Sequence, residues 1–120
     1  MGSPLLRVTL VLFCLISLVA PVSANGSFTA DTLREHCMGE APFDKALCIG
    51  YVSGTLYGYT LGSMEQTGGV PPYCPEGDAG QARFVQTDFV DWLPSNPEFR
   101  EQDAALALVS MLKIKHPCIR

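Results

Sequence analysis

Apolar residues recur at helical spacing along most of the chain beyond residue 29, and no segment alternates polar and apolar positions long enough to require a strand. Ala30 to Cys37 reads as a short first helix, capped by Thr29 or Ser27 and ended by Gly39. Pro42 at a first helical position, with Asp44 in the first turn, opens a second helix predicted to run to about Glu65. Residues 66–77, QTGGVPPYCPEG, carry adjacent glycines and three prolines and are predicted to be a loop. Asp78 is expected to cap a third helix, with Gln81 three residues on as in a capping box, and Ala82, Val85, Phe89 and Trp92 then share one face. Pro94 stops that helix, and Ser95, Asn96 and Pro97 turn the chain. A fourth helix follows from about Gln102 to Lys115, with Ala105, Leu108, Val109 and Leu112 expected inward. Its end is basic, at Lys113, Lys115 and His116, and Pro117 prevents continuation. The pattern predicts an all-α fold, a small four-helix domain.

The second helix breaks the usual propensity rules. Gly50, Gly54, Gly58 and Gly62 recur every fourth residue and line one slowly turning stripe. Each glycine inside a helix costs about 0.8 to 1 kcal/mol relative to alanine, so four oppose the helix by about 3 to 4 kcal/mol. Close approach of another helix backbone along the bare stripe would compensate, which predicts a central helix in which these four glycines are packing residues. The competing reading is a transmembrane helix, because Ala46 to Met64 carries no charge and GxxxG spacing is familiar from membrane dimers. Cys48, Ser53, Thr55, Thr60, Ser63 and three tyrosines dilute its hydrophobicity and argue against insertion.

The start of the chain changes the compartment. Arg7 precedes an apolar run from Val8 to Ala20, Pro21 breaks it, and Val22, Ser23 and Ala24 form a small-residue cleavage site. The run is 13 residues, short of the ~17 to 25 that span a bilayer. Residues 1–24 therefore read as a cleavable signal peptide and residues 25–120 as a single exported domain, periplasmic in the reading developed below. Phe13 before Cys14 does not fit a lipoprotein signal. Four of the five cysteines remain after cleavage, Cys37, Cys48, Cys74 and Cys118. An even number in a short exported chain reads as two disulfides with three possible connectivities. Pairing Cys37 with Cys48 and Cys74 with Cys118 is favoured, since each closes its loop without crossing the other. Zinc is disfavoured, because no two cysteines have C-x2-C spacing.

Loss of Arg7 takes the formal net charge from −4 to −5. With no basic stripe along the chain, nucleic acid is excluded as a partner class, and an acidic body suits solubility or a basic partner. Candidate chemistry is sparse. The two histidines, His36 and His116, both neighbour cysteines expected to be oxidised, so a Cys–His dyad has no free thiol. Asp88, Asp91, Glu98, Glu101 and Asp103 read as a solvated acidic surface rather than paired catalytic carboxylates or a calcium loop. No glycine-rich phosphate loop follows a strand, and no cofactor is implied. A binding module fits better than an enzyme.

The order of motifs resembles a known family. A first cysteine is followed by C-I-G-Y-V-x-G at Cys48 to Gly54, Y-C-P-E-G at Tyr73 to Gly77, N-P-E at Asn96 to Glu98, and AALALVSMLKIKHPC ending at Cys118. From about Asp31 to Cys118 the chain resembles the Rap/Tai family of type VI secretion immunity proteins. The resemblance implies a small helical periplasmic protein that dimerises and inhibits a cell-wall amidase effector by occluding its catalytic cleft. The loop QTGGVPPYCPEGD is the expected contact, with Tyr73 as an amphipathic anchor and Glu76 and Asp78 as acidic contacts; the alternative is a mere connector held by Cys74. The competing function is a periplasmic acid-stress chaperone resembling the HdeA type, which would loosen and expose apolar surface as its carboxylates protonate.

Overall fold

The computed structural model describes residues 28–119, so the predicted signal peptide and its cleavage site lie outside the described residues. The helices are α1 (Ala30–Met38), α2 (Pro42–Thr67), α3 (Ala82–Trp92) and α4 (Ala104–Lys115). A 3-10 turn at Gly77–Gly80 precedes α3, and two more, Leu93–Ser95 and Pro97–Phe99, lead from α3 to α4. Among the described residues there is no named strand, only an isolated antiparallel bridge between Thr29 and Asp103. The all-α, four-helix expectation holds.

Local chemistry sets most boundaries. The Thr29 hydroxyl caps α1 by accepting from the Thr32 N–H at 3.3 Å. Gly39 ends α1 in an extended conformation, and a methyl group there would lie 2.7 Å from Asp44 Cβ. Glycine is required at this corner by the close approach of α2. Two residues beyond the predicted end, α2 stops at Thr67, whose hydroxyl donates to the Ser63 carbonyl at 2.8 Å before Gly68 turns left-handed at φ 71°.

Two boundaries differ from the sequence-based expectation. Asp78 does not cap α3: it sits inside the Gly77–Gly80 turn, its carboxylate accepts from the Gln81 side-chain amide, and Gln81 is the extended residue from which α3 begins at Ala82. The Asp–Gln pair is formed, but it closes a tighter turn that Gly77 opens at φ 53°. The fourth helix starts later than Gln102, at Ala104, because the Asp103 carboxylate accepts from the N–H groups of Ala105 and Leu106 at 3.0 and 3.2 Å. Its inward face is also rotated. Ala104, Ala107, Leu108, Met111 and Leu112 are buried, while Ala105 and Val109 are only half-buried. Alanines and leucines surround α4, so its apolar pattern has no sharp maximum to read.

Phe89, Leu33, Leu93, Leu108, Met111, Leu112, Val52, Val85 and Cys48 are fully buried where the four helices meet. The start of α1 is tied to the start of α4: Ala30 N–H donates to the Gln102 carbonyl at 2.9 Å, and Ala104 N–H donates to the Phe28 carbonyl at 2.9 Å. Arg100 Nε lies 2.9 Å from both carboxylate oxygens of Asp31, a fork that raises the Arg100 pKa above its ordinary value. The bridges pair Cys37 with Cys48 and Cys74 with Cys118, as favoured from the sequence. They close sequence separations of 11 and 44 residues, and chain-entropy arguments assign them about 3 and about 4 kcal/mol.

Candidate functional site: the loop before α3 and the open face of α2

The loop between α2 and α3 is held at two neighbouring residues. Cys74 is bridged to Cys118, and its N–H donates to the His116 carbonyl at 2.8 Å. Tyr73 is turned inward, only 8 % exposed, within 3.2 Å of the Thr60 hydroxyl through its phenolic oxygen. This corrects the expectation that Tyr73 projects as a partner-binding anchor. An aromatic ring in a proline-rich loop finds more apolar surface over α2 than in solvent, and its hydroxyl is satisfied there. Glu76 and Asp78 are exposed at the Gly77–Gly80 turn.

Beneath this turn lies a cavity of about 340 Å³. Leu56, Tyr73 and Ala82 give it apolar walls, Ser53, Tyr57 and Thr60 contribute hydroxyls, and Gly80 and Gln81 close one side. Its lining holds no histidine, lysine or carboxylate that could move a proton. The arrangement suits reception of a neutral group.

The glycine stripe is not packed against any other described residue. A methyl group added to Gly50, Gly54, Gly58 or Gly62 would meet nothing within 4 Å. Among the described residues the close helix contact expected at the glycines is absent, and α2 buries Cys48, Val52 and Leu56 instead. The stripe instead floors a shallow groove of about 290 Å³ that Gly54, Gly58 and Tyr59 share with Ala105, Leu106 and Val109 of α4. Around it stand large apolar side chains in solvent: Phe43 at 69 %, Tyr57 at 72 %, Leu61 at 66 % and Leu106 at 63 % exposure. No helix among the described residues is long and apolar enough to cross a membrane.

Several of the other titratable groups are engaged structurally. His36 Nδ1 lies 2.7 Å from Asp44 Oδ1 beside the Cys37–Cys48 bridge, which fastens the α1–α2 corner. Asp88, read from the sequence as solvated, instead pairs with Lys115 at 2.9 Å and lies 3.9 Å from His116 Nε2. That nitrogen is buried without a hydrogen-bond partner. The Tyr51 phenol on α2 has its pKa raised, first by burial and then by the Asp103 carboxylate. No group of three histidine, cysteine or acidic side chains gathers as a metal site among the described residues.

Residues 29–118 match the family of Rap1a immunity proteins. The match covers the four helices and all four bridged cysteines. No curated protein and no solved structure matches the chain.

Proposed function

The chain belongs to the Rap1a immunity proteins, and from that membership we propose that it is an exported periplasmic protein that binds a type VI secreted peptidoglycan amidase and inhibits it by occluding the active site. The observation that carries this reading is the family match across residues 29–118. Residues 1–24 supply export, and two disulfides suit an oxidising compartment. The protein works by binding and carries out no reaction of its own.

Glu76 and Asp78 make the effector contact. They stand on the outer face of a turn that Tyr73, Cys74 and Gln81 hold from within, and neither forms an ion pair among the described residues. A preorganised acidic turn loses little entropy on binding and selects a basic rim on the effector. The open face of α2 serves self-association. Its stripe lies in the uncharged stretch Ala46 to Met64 of an otherwise acidic chain, so repulsion between two copies is weakest there. Tyr57 and Leu61 of one copy then fill the glycine groove of the other.

The test is direct. The purified protein is titrated into the secreted amidase encoded beside it, and crosslink cleavage is followed on peptidoglycan. A stoichiometric complex and loss of cleavage are expected; an amidase that stays fully active in excess protein overturns the proposal.

A further inference from the structure

The two disulfides occupy different surroundings. Cys48 is fully buried in the core and Cys37 is half-buried, whereas Cys74 is exposed and Cys118 half-buried. The second bridge also opens into a groove of about 640 Å³ between the end of α2, the Pro71–Pro72 segment and the chain after α4. Of the described residues that line this groove, Lys113 alone is charged. Its ammonium lies 5.6 Å above the ring of Tyr59, which also lines the groove. A cation lining the same groove as an accessible disulfide, on a chain of net negative charge, attracts an incoming thiolate and stabilises a departing one.

We propose that Cys74–Cys118 is a thiol-exchange site that takes an external dithiol, while Cys37–Cys48 remains closed. A thiolate of the dithiol attacks Cys74 Sγ, forming a mixed disulfide and releasing Cys118 as a thiolate beside Lys113. The second thiol of the reagent then closes on the first, releasing Cys74. The dithiol is oxidised by two electrons, the bridge is reduced by two, and the two protons of the dithiol end on Cys74 and Cys118. What remains to hold the loop is the Cys74 N–H to His116 carbonyl bond and the buried Tyr73 ring. Opening is therefore local: the loop before α3 and the segment after α4 are freed together, and the helical core keeps its buried bridge. This inference does not depend on the identity of the effector.

The experiment uses the protein with both bridges closed, exposed to dithiothreitol under native conditions, quenched with N-ethylmaleimide and mapped by mass spectrometry. Cys74 and Cys118 are expected to be labelled about tenfold or more faster than Cys37 and Cys48, as accessibility controls exchange. Simultaneous loss of both bridges, or earlier loss of Cys37–Cys48, overturns the proposal. Glutathione should be trapped on Cys74; adducts mainly on Cys118 overturn the direction of attack. Lys113→Gln should slow the exchange by about threefold to fivefold, the effect of removing one nearby surface charge, with an unchanged melting temperature of the oxidised protein. An unchanged rate removes the electrostatic part of the mechanism.

Discussion

Replacing Gly54 and Gly58 together by alanine separates what the stripe costs the monomer from what it does for assembly. In the isolated chain both new methyl groups enter open space, with nothing within 4 Å. Each substitution recovers about 0.8 to 1 kcal/mol of helix propensity, so the pair should stabilise the monomer by about 2 kcal/mol. For a domain of this size that is a rise in melting temperature of about 8 to 16 °C. The assay is a far-ultraviolet circular dichroism melt at a concentration where sedimentation shows only monomer. Sedimentation over a range of higher concentrations supplies the second reading: methyl groups that block close approach should weaken self-association about tenfold, equivalent to about 1.4 kcal/mol. A lower melting temperature at monomeric concentration would mean that the stripe is packed within the fold, against the geometry. Unchanged association would place the dimer contact elsewhere. Gly54→Leu, which the sequence alone suggests is ruinous, should leave the monomer folded for the same reason.

Gly39→Ala should do the opposite, since its methyl group would lie 2.5 Å from Asp44 Oδ2 and 2.7 Å from Asp44 Cβ; a loss of about 1 to 3 kcal/mol is expected from urea unfolding, as for other overpacked sites. Phe89→Ala empties the largest fully buried side chain and should cost about 3 to 5 kcal/mol by the same measurement, with an unchanged denaturant slope. Burial and Asp103 raise the folded pKa of Tyr51 above 10.0. This contribution to stability is intact below pH 10 and is lost as pH climbs through the folded value, so Tyr51→Phe should flatten the alkaline fall in melting temperature. The Glu76→Gln, Asp78→Asn double variant should keep the wild-type melting temperature while losing amidase inhibition, with weaker salt dependence of the residual binding; full inhibition would remove the acidic turn from the contact.

Helix order and number were legible because punctuation and periodicity agreed: Thr29 and Pro42 act as boundaries in the folded chain for the reasons they suggest in the sequence, whereas Gly39 is needed for the close approach of Asp44, and α2 runs past the predicted Glu65 to end at its cap, Gly68. Val85 and Phe89 were readable as core because they recur at helical spacing with Ala82 and Trp92 on one face of α3. The face of α4 was not, because Ala105 and Val109 are as apolar as Ala104 and Met111, and only the docking of neighbouring helices chooses between them. Leu93 was missed for a related reason. It follows the last residue of α3 and is buried through a 3-10 turn that continues the chain past the predicted stop at Pro94.

The site was harder to read than the fold, and Tyr73 shows why. Composition marks residues 66–77 as a loop but says nothing about which side of the loop faces α2. That choice follows from two constraints at adjacent positions, Cys74 fixed to Cys118 and the Tyr73 phenol meeting Thr60. Once both are satisfied the tyrosine is committed to the core, and the outward positions fall to Glu76 and Asp78 on the next turn. The glycine stripe misleads in the converse direction. Four open helical glycines cost the monomer about 3 to 4 kcal/mol, and no contact among the described residues repays it. In the self-association proposed above, the surface that a single copy leaves bare is covered by a second one. The same spacing that predicts close packing would then be satisfied between molecules, and the cost to the isolated chain would make its stability depend on concentration.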